Sequence, residues 1–239
     1  MLDSVYVGTS GQIALETRLT TIAGNVANAG TVGFRATTVT FEELLNNKIK
    51  SGVSTVSSGE DTISQRPGTL ENTGNSFDFA IQGDAWFGVE VNGEVLLTKD
   101  GRFALNSQAQ LVTINGDPVI DPGGAPITLP GNATEFSVSG SGVISRNGEP
   151  ISGIGLFRDA APELMQRAGE TAFRPNGQLE PIVDGDGATV LQGFVENSNV
   201  DPVREIVQLI AVQRAFEQNG AIMRETSDSL DRLIQNLSP

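Results

Sequence analysis

The C-terminal stretch, residues 199–237, carries the pattern that most limits how this chain can fold. Stepping by three and four residues in turn gives ten positions, of which only Gln213, Gly220 and Ser227 are not apolar. The other positions hold Ile206, Leu209, Phe216, Met223, Leu230, Ile234 and Leu237. Such a repeat over about four heptads is typical of a coiled-coil seam. Water cannot satisfy this stripe, so the helix needs a partner.

The sequence also marks where this helix begins. Asp201 can accept hydrogen bonds from the first turn, and Pro202 suits the first helical position because its missing N–H is not needed there. From Pro202 to Leu237 the helix would extend ~50 Å. The pair Asn219-Gly220 weakens it by about 1 kcal/mol relative to alanine. One such weakness does not end so periodic a helix.

A second amphipathic helix is predicted within residues 1–34. Its apolar residues fall on one helical face, with Gly8 and Gln12 completing the row: Met1, Val5, Leu15, Leu19, Ile22 and Val26. We expect the helix to stop near Asn28, with Gly30 adopting the left-handed conformation that ends many helices.

Between the two helices the apolar period changes to two, which predicts β-structure. Asn-Gly between alternating apolar runs favours hairpin turns, because both positions must take positive φ. The pair occurs four times, at 92–93, 115–116, 147–148 and 176–177. We therefore predict an antiparallel β-rich domain over residues 77–195. Its middle should lack central strands because of Pro118, Pro122, Pro126 and Pro130.

Residues 35–76 are predicted to be an extended or loop linker, in which 41–45 could form one or two helical turns. The fold class is therefore α+β, in four segments: helix 1–34, linker 35–76, β-rich outer domain 77–195 and helix 196–239. If both helices join the same side of the β-rich domain, they run antiparallel and can share one coiled-coil seam.

Composition excludes several functions. With 15 Lys and Arg against 29 Asp and Glu, the net charge of −14 disfavours nucleic acid as a partner. The absence of cysteine and histidine removes disulfides, thiol catalysis, Ser-His-Asp chemistry and the usual zinc ligands. Residues 184–187 suggest a turn, since they lack the other ligands of a calcium loop. We expect no enzymatic activity, cofactor, metal or small-molecule substrate.

Targeting signals are also lacking in the sequence. Its first cation is Arg18, so no secretory signal peptide is expected. No apolar run approaches the ~18–20 residues that span a bilayer.

Four segments, in order along the whole chain, resemble the signatures of the flagellar rod and hook family. They are 22–35 (IAGNVANAGTVGFR), 79–87 (FAIQGDAWF), 98–106 (TKDGRFALN), and 196–200 (ENSNV) followed by 213–217 (QRAFE). Because of its modest length, the chain most resembles the proximal rod proteins of that family. A distal rod protein is the close alternative.

The resemblance implies a structural subunit of the basal-body rod, the drive shaft and export channel that crosses the periplasm. Family members polymerise through terminal helices and leave the cytoplasm by the flagellar type III export apparatus without a cleaved signal. The implied partners are copies of the chain, other rod proteins, and through the rod the inner-membrane ring and hook-side neighbours. The predicted assembly interface comprises Leu15, Leu19, Ile22, Asn25, Val26, Asn28, Phe34, Ile206, Leu209, Gln213, Phe216, Met223, Leu230, Ile234 and Leu237.

Three other classes of function compete with this interpretation. A phage-tail or pilus-like filament protein would share the helical ends but lack the four motifs. A carboxylate-dependent periplasmic enzyme would need a cleft holding an acid of raised pKa. An export chaperone would be mostly helical.

Overall fold

The computed structural model describes residues 2–40, 43–45, 54–56, 60–130, 136–182 and 187–237, with the backbone alone at 2–6, 43–45, 54–56, 60, 227, 230, 231 and 233–237. The described chain is α+β, as predicted, and divides into two compact units. The helical unit comprises Met1–Ala27, Thr37–Thr62 and Asp201–Pro239. The β-rich unit comprises Asn28–Ala36 and Ile63–Val200.

Two long helices dominate the helical unit, α1 (Leu2–Ala27) and α2 (Pro202–Leu237). The predicted start of α2 is confirmed: Asp201 Oδ1 accepts from the backbone N–H of Val203 at 3.1 Å and of Arg204 at 3.2 Å. The helix continues through Asn219-Gly220 without a break. Four short strands accompany the helices, paired β1 with β4 and β2 with β3: β1 (Thr37–Thr40), β2 (Glu43–Leu45), β3 (Ser54–Val56) and β4 (Glu60–Ile63).

Two local predictions in this part of the chain are wrong. Residues 43–45 form strand β2 rather than a helical turn, because they pair with β3 in an antiparallel ladder that sequence periodicity does not reveal; 41–42 lie outside the described residues. Gly30 does not take positive φ, and the left-handed glycine after α1 is Gly33, at φ +72°. A turn over 28–30 therefore ends the helix without a left-handed cap at Gly30.

The β-rich unit contains fifteen described strands in several small antiparallel ladders around one larger sheet. They are β5 (Leu70–Asn72), β6 (Phe79–Gly83), β7 (Trp86–Val91), β8 (Glu94–Thr98), β9 (Phe103–Leu105), β10 (Leu111–Thr113), β11 (Ser137–Val138), β12 (Val143–Arg146), β13 (Glu149–Gly153), β14 (Leu156–Asp159), β15 (Gln166–Arg167), β16 (Ala172–Arg174), β17 (Leu179–Pro181), β18 (Ala188–Gln192) and β19 (Phe194–Glu196). A short 3-10 helix, Pro162–Leu164, separates β14 from β15.

The larger sheet has six strands in the order β15-β16-β8-β7-β14-β17, and β7 and β8 at its centre are buried on both faces. Because successive side chains of a strand point to opposite faces, Phe87 and Leu96 join one hydrophobic cluster while Trp86 and Leu97 join another. Smaller ladders flank this sheet, including β18 with β6 and β19 with β5.

Three of the four Asn-Gly pairs occupy tight turns between antiparallel neighbours. At 92–93 and 147–148 both residues have positive φ, as the hairpin prediction requires. At 115–116 only the glycine has positive φ, and Gly116 N–H donates to Thr113 O at 3.0 Å.

The fourth pair, 176–177, does not form a hairpin. It connects β16 to β17, which lie apart in the six-stranded sheet, and the Asp159 carboxylate accepts from the Asn176 N–H at 2.9 Å. The four prolines at 118–130 lie outside all named strands, as predicted.

Candidate functional site

Within the helical unit, α1 and α2 contact each other closely at Gly8 and Gln12 of α1 and at Asn219 and Met223 of α2. Gly8 faces Met223 so closely that a Cβ on Gly8 would overlap the Met223 sulfur. Four residues before Met223 on α2, Asn219 Nδ2 donates to Gly8 O at 3.1 Å and to Gln12 Oε1 at 3.2 Å. Later residues of α1 therefore contact earlier residues of α2, so the two helices run antiparallel where they touch.

Asn25, in the last two turns of α1, joins the helix to strand β1. Its side-chain oxygen accepts from the Thr37 N–H at 3.0 Å, and its Nδ2 donates to Thr37 O at 2.9 Å. Nδ2 also lies 3.4 Å from the Glu205 carboxylate of α2. Asn25 is thus buried, and both its amide nitrogen and its amide oxygen are hydrogen-bonded.

The predicted interface residues lie in different environments within one chain. Buried residues are Ile22, Asn25 and Phe34; half-buried residues are Leu15, Leu19, Val26, Asn28, Leu209, Phe216 and Met223; exposed residues are Ile206 and Gln213. The side chains of Leu230, Ile234 and Leu237 lie outside the described residues. A contact with another subunit remains a prediction for all of them.

The first turns of α2 present an apolar strip to solvent. Val203 is 71% exposed and Val207 63%, and Ile206 and Ile210 are also exposed. Spacings of three and four residues place these side chains on one side of the helix. Single exposed apolar residues are ordinary, whereas these four form one contiguous exposed apolar strip.

In the β-rich unit, the segment that follows α1 lies beside the segment that precedes α2. We call these two segments, Gly33–Ala36 and Glu196–Asn199, the junction. Gly33 N–H donates to Glu196 O at 2.7 Å, and Ala36 N–H donates to Asn199 Oδ1 at 2.8 Å. Asn199 Nδ2 also donates to Arg66 O at 2.7 Å. The junction is therefore a continuous hydrogen-bonded contact between residues more than 160 positions apart.

A buried ion pair crosses the junction. The Arg35 guanidinium lies 2.6 Å from the Glu196 carboxylate, and the two side chains are 3% and 2% exposed. Arg35 also donates to the carbonyls of Gln65 and Arg66, while Glu196 Oε1 accepts from the Gly68 N–H at 2.8 Å. In the described chain, Arg35 Nε and Glu196 Oε2 are buried without a hydrogen-bond partner. The pair therefore depends on mutual neutralisation.

Two cations approach the indole of Trp86 beside this pair. The Arg35 guanidinium lies 5.6 Å and the Lys99 ammonium 5.2 Å from the ring centroid, both within cation–π range. Burial, and secondarily the charge of Arg35, lower the pKa of Lys99 from 10.5 to about 8, against the opposing attraction of Glu196 and Asp84. Burial likewise lowers the pKa of Arg35, opposed by Glu196.

The buried Lys99 makes stability depend on pH. Between pH 8 and 10.5 the unfolded chain holds the Lys99 proton and the folded chain does not, so the free energy of unfolding rises with pH across this window. We expect an increase of at most about 3 kcal/mol. Denaturant unfolding of the wild type and Lys99→Met, followed by Trp86 fluorescence, should show a difference in stability that changes across the window. Parallel pH profiles for the two proteins would contradict this assignment.

None of the buried charged residues belongs to the predicted assembly interface. Arg35, Trp86, Lys99 and Glu196 lie within the four family-like segments, but the sequence did not single them out as site residues. The available signal was an arginine and a glutamate inside otherwise apolar or small segments in a chain with few cations. Their pairing across 161 positions was not readable, because nothing in local periodicity connects them.

Metal ligands are not clustered in the described chain: no group of three or more Asp or Glu residues there could hold an ion. The Asp-Gly repeat at 184–187, predicted as a turn, lies outside the described residues except for Gly187. No helix of the described chain is both long and apolar enough to cross a bilayer.

Three family profiles match the chain in order. They are described as "Flagella basal body rod protein" for residues 5–35, "Flagellar hook protein FlgE/F/G D1 domain" for 80–146, and "Flagellar basal body rod FlgEFG protein C-terminal" for 191–236. The first and last profiles take in most of α1 and α2 and both sides of the junction.

Relatives match over nearly the full length. The chain is 46% identical to a flagellar basal-body rod protein FlgF of Rhizobium meliloti (strain 1021), over 99% of this chain and 98% of the relative. It is 35% identical to FlgF of Caulobacter vibrioides, with the same coverage. It is 30% identical to the rod protein FlgG of Bacillus subtilis (strain 168), over 98% of each.

Paired terminal helices, a β-rich unit and these matches define the class: the chain belongs to the flagellar basal-body rod protein family, whose members are structural proteins and not enzymes. Within that family it is most like FlgF, since identity to the FlgF proteins of R. meliloti and C. vibrioides exceeds that to FlgG of B. subtilis.

Proposed function

We propose that this chain is a subunit of the proximal rod, polymerising through its terminal helices into the axial drive shaft and export channel across the periplasm. The observation that carries the proposal is the apolar strip of Val203, Ile206, Val207 and Ile210 on α2. In a family of basal-body rod proteins, neighbouring subunits are the natural cover for such a strip. The predicted interface residues belong to this proposal.

The paired contacts of α1 and α2 support the further proposal of an antiparallel coiled coil. Leu209 and Phe216 lie half-buried on the predicted seam, and Val212, between them and outside it, is buried. The buried side of α2 therefore includes Val212 in addition to the predicted seam positions Leu209 and Phe216. We also propose a division of the chain in the assembly. A helical core (1–34 with 196–239) forms the inner part, a β-rich domain (77–195) lies outside it, and a linker (35–76) connects the two.

The route and neighbours follow from the same proposal. The chain leaves the cytoplasm through the flagellar type III export apparatus without a cleaved signal. In the rod it contacts copies of itself and other rod proteins, which connect it to the inner-membrane ring and to hook-side neighbours. A distal rod position is the second candidate; identity of 46% to the R. meliloti FlgF against 30% to the B. subtilis FlgG favours the proximal one.

Truncation tests the proposal. Removing residues 1–30 or 205–239 from a strain with no other copy of the gene should abolish motility and remove the protein from isolated basal bodies, because the polymerising helix is lost. A full-length chain with a tag after residue 239 serves as the positive control. Fluorescence of Trp86, the single tryptophan, reports whether the β-rich unit of each truncated protein still folds.

Normal flagella from either truncation would contradict the role of the helices. Cross-linking in basal bodies separates the two rod positions, since a proximal subunit should be captured with inner-membrane-ring neighbours and a distal one with hook-side neighbours.

A further inference from the structure

The four Asn-Gly pairs of the β-rich unit carry a chemistry of their own. The backbone nitrogen of the glycine can attack the side-chain carbonyl of the asparagine, because glycine has no Cβ to hinder the approach. The nitrogen loses its proton, a C–N bond forms to Cγ and ammonia leaves, which gives a cyclic succinimide. Water then opens the ring at either carbonyl, to aspartate or to isoaspartate. The net reaction consumes one water for each ammonia released and needs no other reactant.

Hydrogen bonding at the glycine nitrogen divides the four pairs, whereas exposure does not, since all four asparagines are exposed. A nitrogen whose N–H already donates must give up that bond before it attacks Cγ. Gly116 N–H donates to Thr113 O at 3.0 Å, and Gly177 N–H donates to the Asp159 carboxylate at 3.4 Å. Both bonds protect the asparagine that precedes the glycine.

The other two pairs, 92–93 and 147–148, lie in two-residue hairpins that leave the glycine N–H unused. The bond that closes such a turn joins the residues on either side, here 91 with 94 and 146 with 149. Among the residues that the structure describes, neither Gly93 nor Gly148 donates a backbone hydrogen bond. What separates these two pairs is how firmly each hairpin is held.

The hairpin that carries Asn92 is held on both sides. Strands β7 and β8 pair without irregularity over residues 87–91 and lie inside the six-stranded sheet. Beside the turn, Glu90 N–H donates to Pro118 O at 2.9 Å, and Glu94 forms an ion pair with Arg174. Ring closure has to rotate the asparagine backbone and so distort this turn, which its neighbours resist.

The hairpin that carries Asn147 lacks these supports. In the described chain β13 pairs with β12 alone, and Pro150 has no N–H to offer a further strand. The register is irregular between Ile144 and Ser145, so only two regular pairs separate the irregularity from the turn. A Cβ built on Gly148 would have no described atom within 4 Å, which leaves room for the ring. We propose that Asn147 is the site at which the folded protein deamidates.

The product changes the hairpin in a defined way. Opening of the ring to isoaspartate routes the main chain through the side-chain carbon and lengthens the two-residue turn by one methylene. Because loop length fixes the register of a hairpin, the pairing of β12 with β13 is disturbed. Ile144 of β12 is buried in the larger hydrophobic cluster, so the disturbance reaches the core. Either product also adds a negative charge to a chain whose net charge is already −14.

Peptide mass spectrometry of the full-length chain tests the assignment. Folded and denatured samples are incubated side by side at neutral pH, and the replacement of NH2 by OH is followed at each asparagine. All four should react in the denatured sample, so each site serves as its own control. In the folded protein the three other asparagines should react at least about tenfold more slowly than Asn147, because their turns must open first. Asn147→Gly, which suits the same turn, should remove the fast reaction and leave the other sites unchanged.

Stability measurements test the disturbed register. Asn147→Asp adds the charge on a normal main chain and is therefore the matched control for isoaspartate. Denaturant unfolding followed by Trp86 fluorescence should show a larger loss of stability in wild-type protein aged until Asn147 has reacted than in Asn147→Asp. Asn147→Gly aged for the same time should show no loss.

Two results would overturn the proposal. One is a folded protein in which Asn92, Asn115 or Asn176 reacts as fast as Asn147. The other is a folded protein in which Asn147 is slowed, relative to the denatured sample, as much as the other three are. Aged wild type no less stable than Asn147→Asp would overturn the effect on the register.

Discussion

Replacing Glu196 by glutamine is expected to lower the free energy of unfolding of the β-rich unit by about 3–5 kcal/mol, the usual cost of removing one partner from a buried ion pair. Glutamine keeps the shape and can still accept from the Gly68 N–H. Arg35, however, stays charged, 3% exposed and beside a second cation, Lys99. The loss is therefore electrostatic, and repacking cannot recover it.

The measurement is denaturant unfolding followed by Trp86 fluorescence, since this indole lies against Arg35 and Lys99. The matched control is Glu94→Gln, which removes the carboxylate from an exposed ion pair with Arg174 at 2.6 Å. Both side chains of that pair are 48% exposed, so water replaces the lost partner and stability should not change measurably. Equal losses from the two substitutions would contradict the importance of burial.

The outcome also bears on why a buried charge pair is present at all. An apolar pair of similar size would serve stability equally well or better, so the ion pair is poor support for a purely stabilising role. Its arrangement joins specific groups, namely the carbonyls of Gln65 and Arg66 and the N–H of Gly68, to the two junction segments. We therefore attribute to it the register of those segments.

Sequence reasoning succeeded where one local interaction decides the structure. Asp201 caps α2 through hydrogen bonds to residues two and three positions away, and the 92–93 and 147–148 turns take positive φ because their strands demand it. The α+β class followed from the change of apolar period. Each of these features lies within a few residues of its cause.

Predictions from the sequence were wrong where a partner far along the chain determines the local structure. Residues 43–45 favour a helix by composition but form a strand, because β3 pairs with them. The pair at 176–177 looks like a hairpin turn, yet it is held by the Asp159 carboxylate from another strand. Glycine placement failed in the same way: Gly30 satisfies a helix-end pattern, whereas the backbone that needs glycine is at Gly33, against Asp100.

Gly33→Ala is the second large expected effect, with a loss of about 2–5 kcal/mol in the free energy of unfolding of the β-rich unit. Its φ of +72° is strained by roughly 1–2 kcal/mol for a residue with a Cβ. That Cβ would also overlap the Asp100 backbone, and overpacking adds about 1–3 kcal/mol. Asp100 cannot move away easily, because its N–H donates to the Thr98 hydroxyl and its carboxylate binds Arg102.

Gly30→Ala, three residues earlier, has no atom within 4 Å of its new Cβ and no positive φ, so it should leave stability unchanged or slightly raised. Denaturant unfolding of both variants, followed by Trp86 fluorescence, gives the comparison. If the Gly33→Ala protein were as stable as the Gly30→Ala protein, the backbone at residue 33 would be able to move away from Asp100. The hydrogen bonds from Gly33 to Glu196 and from Ala36 to Asn199 would then not fix its position.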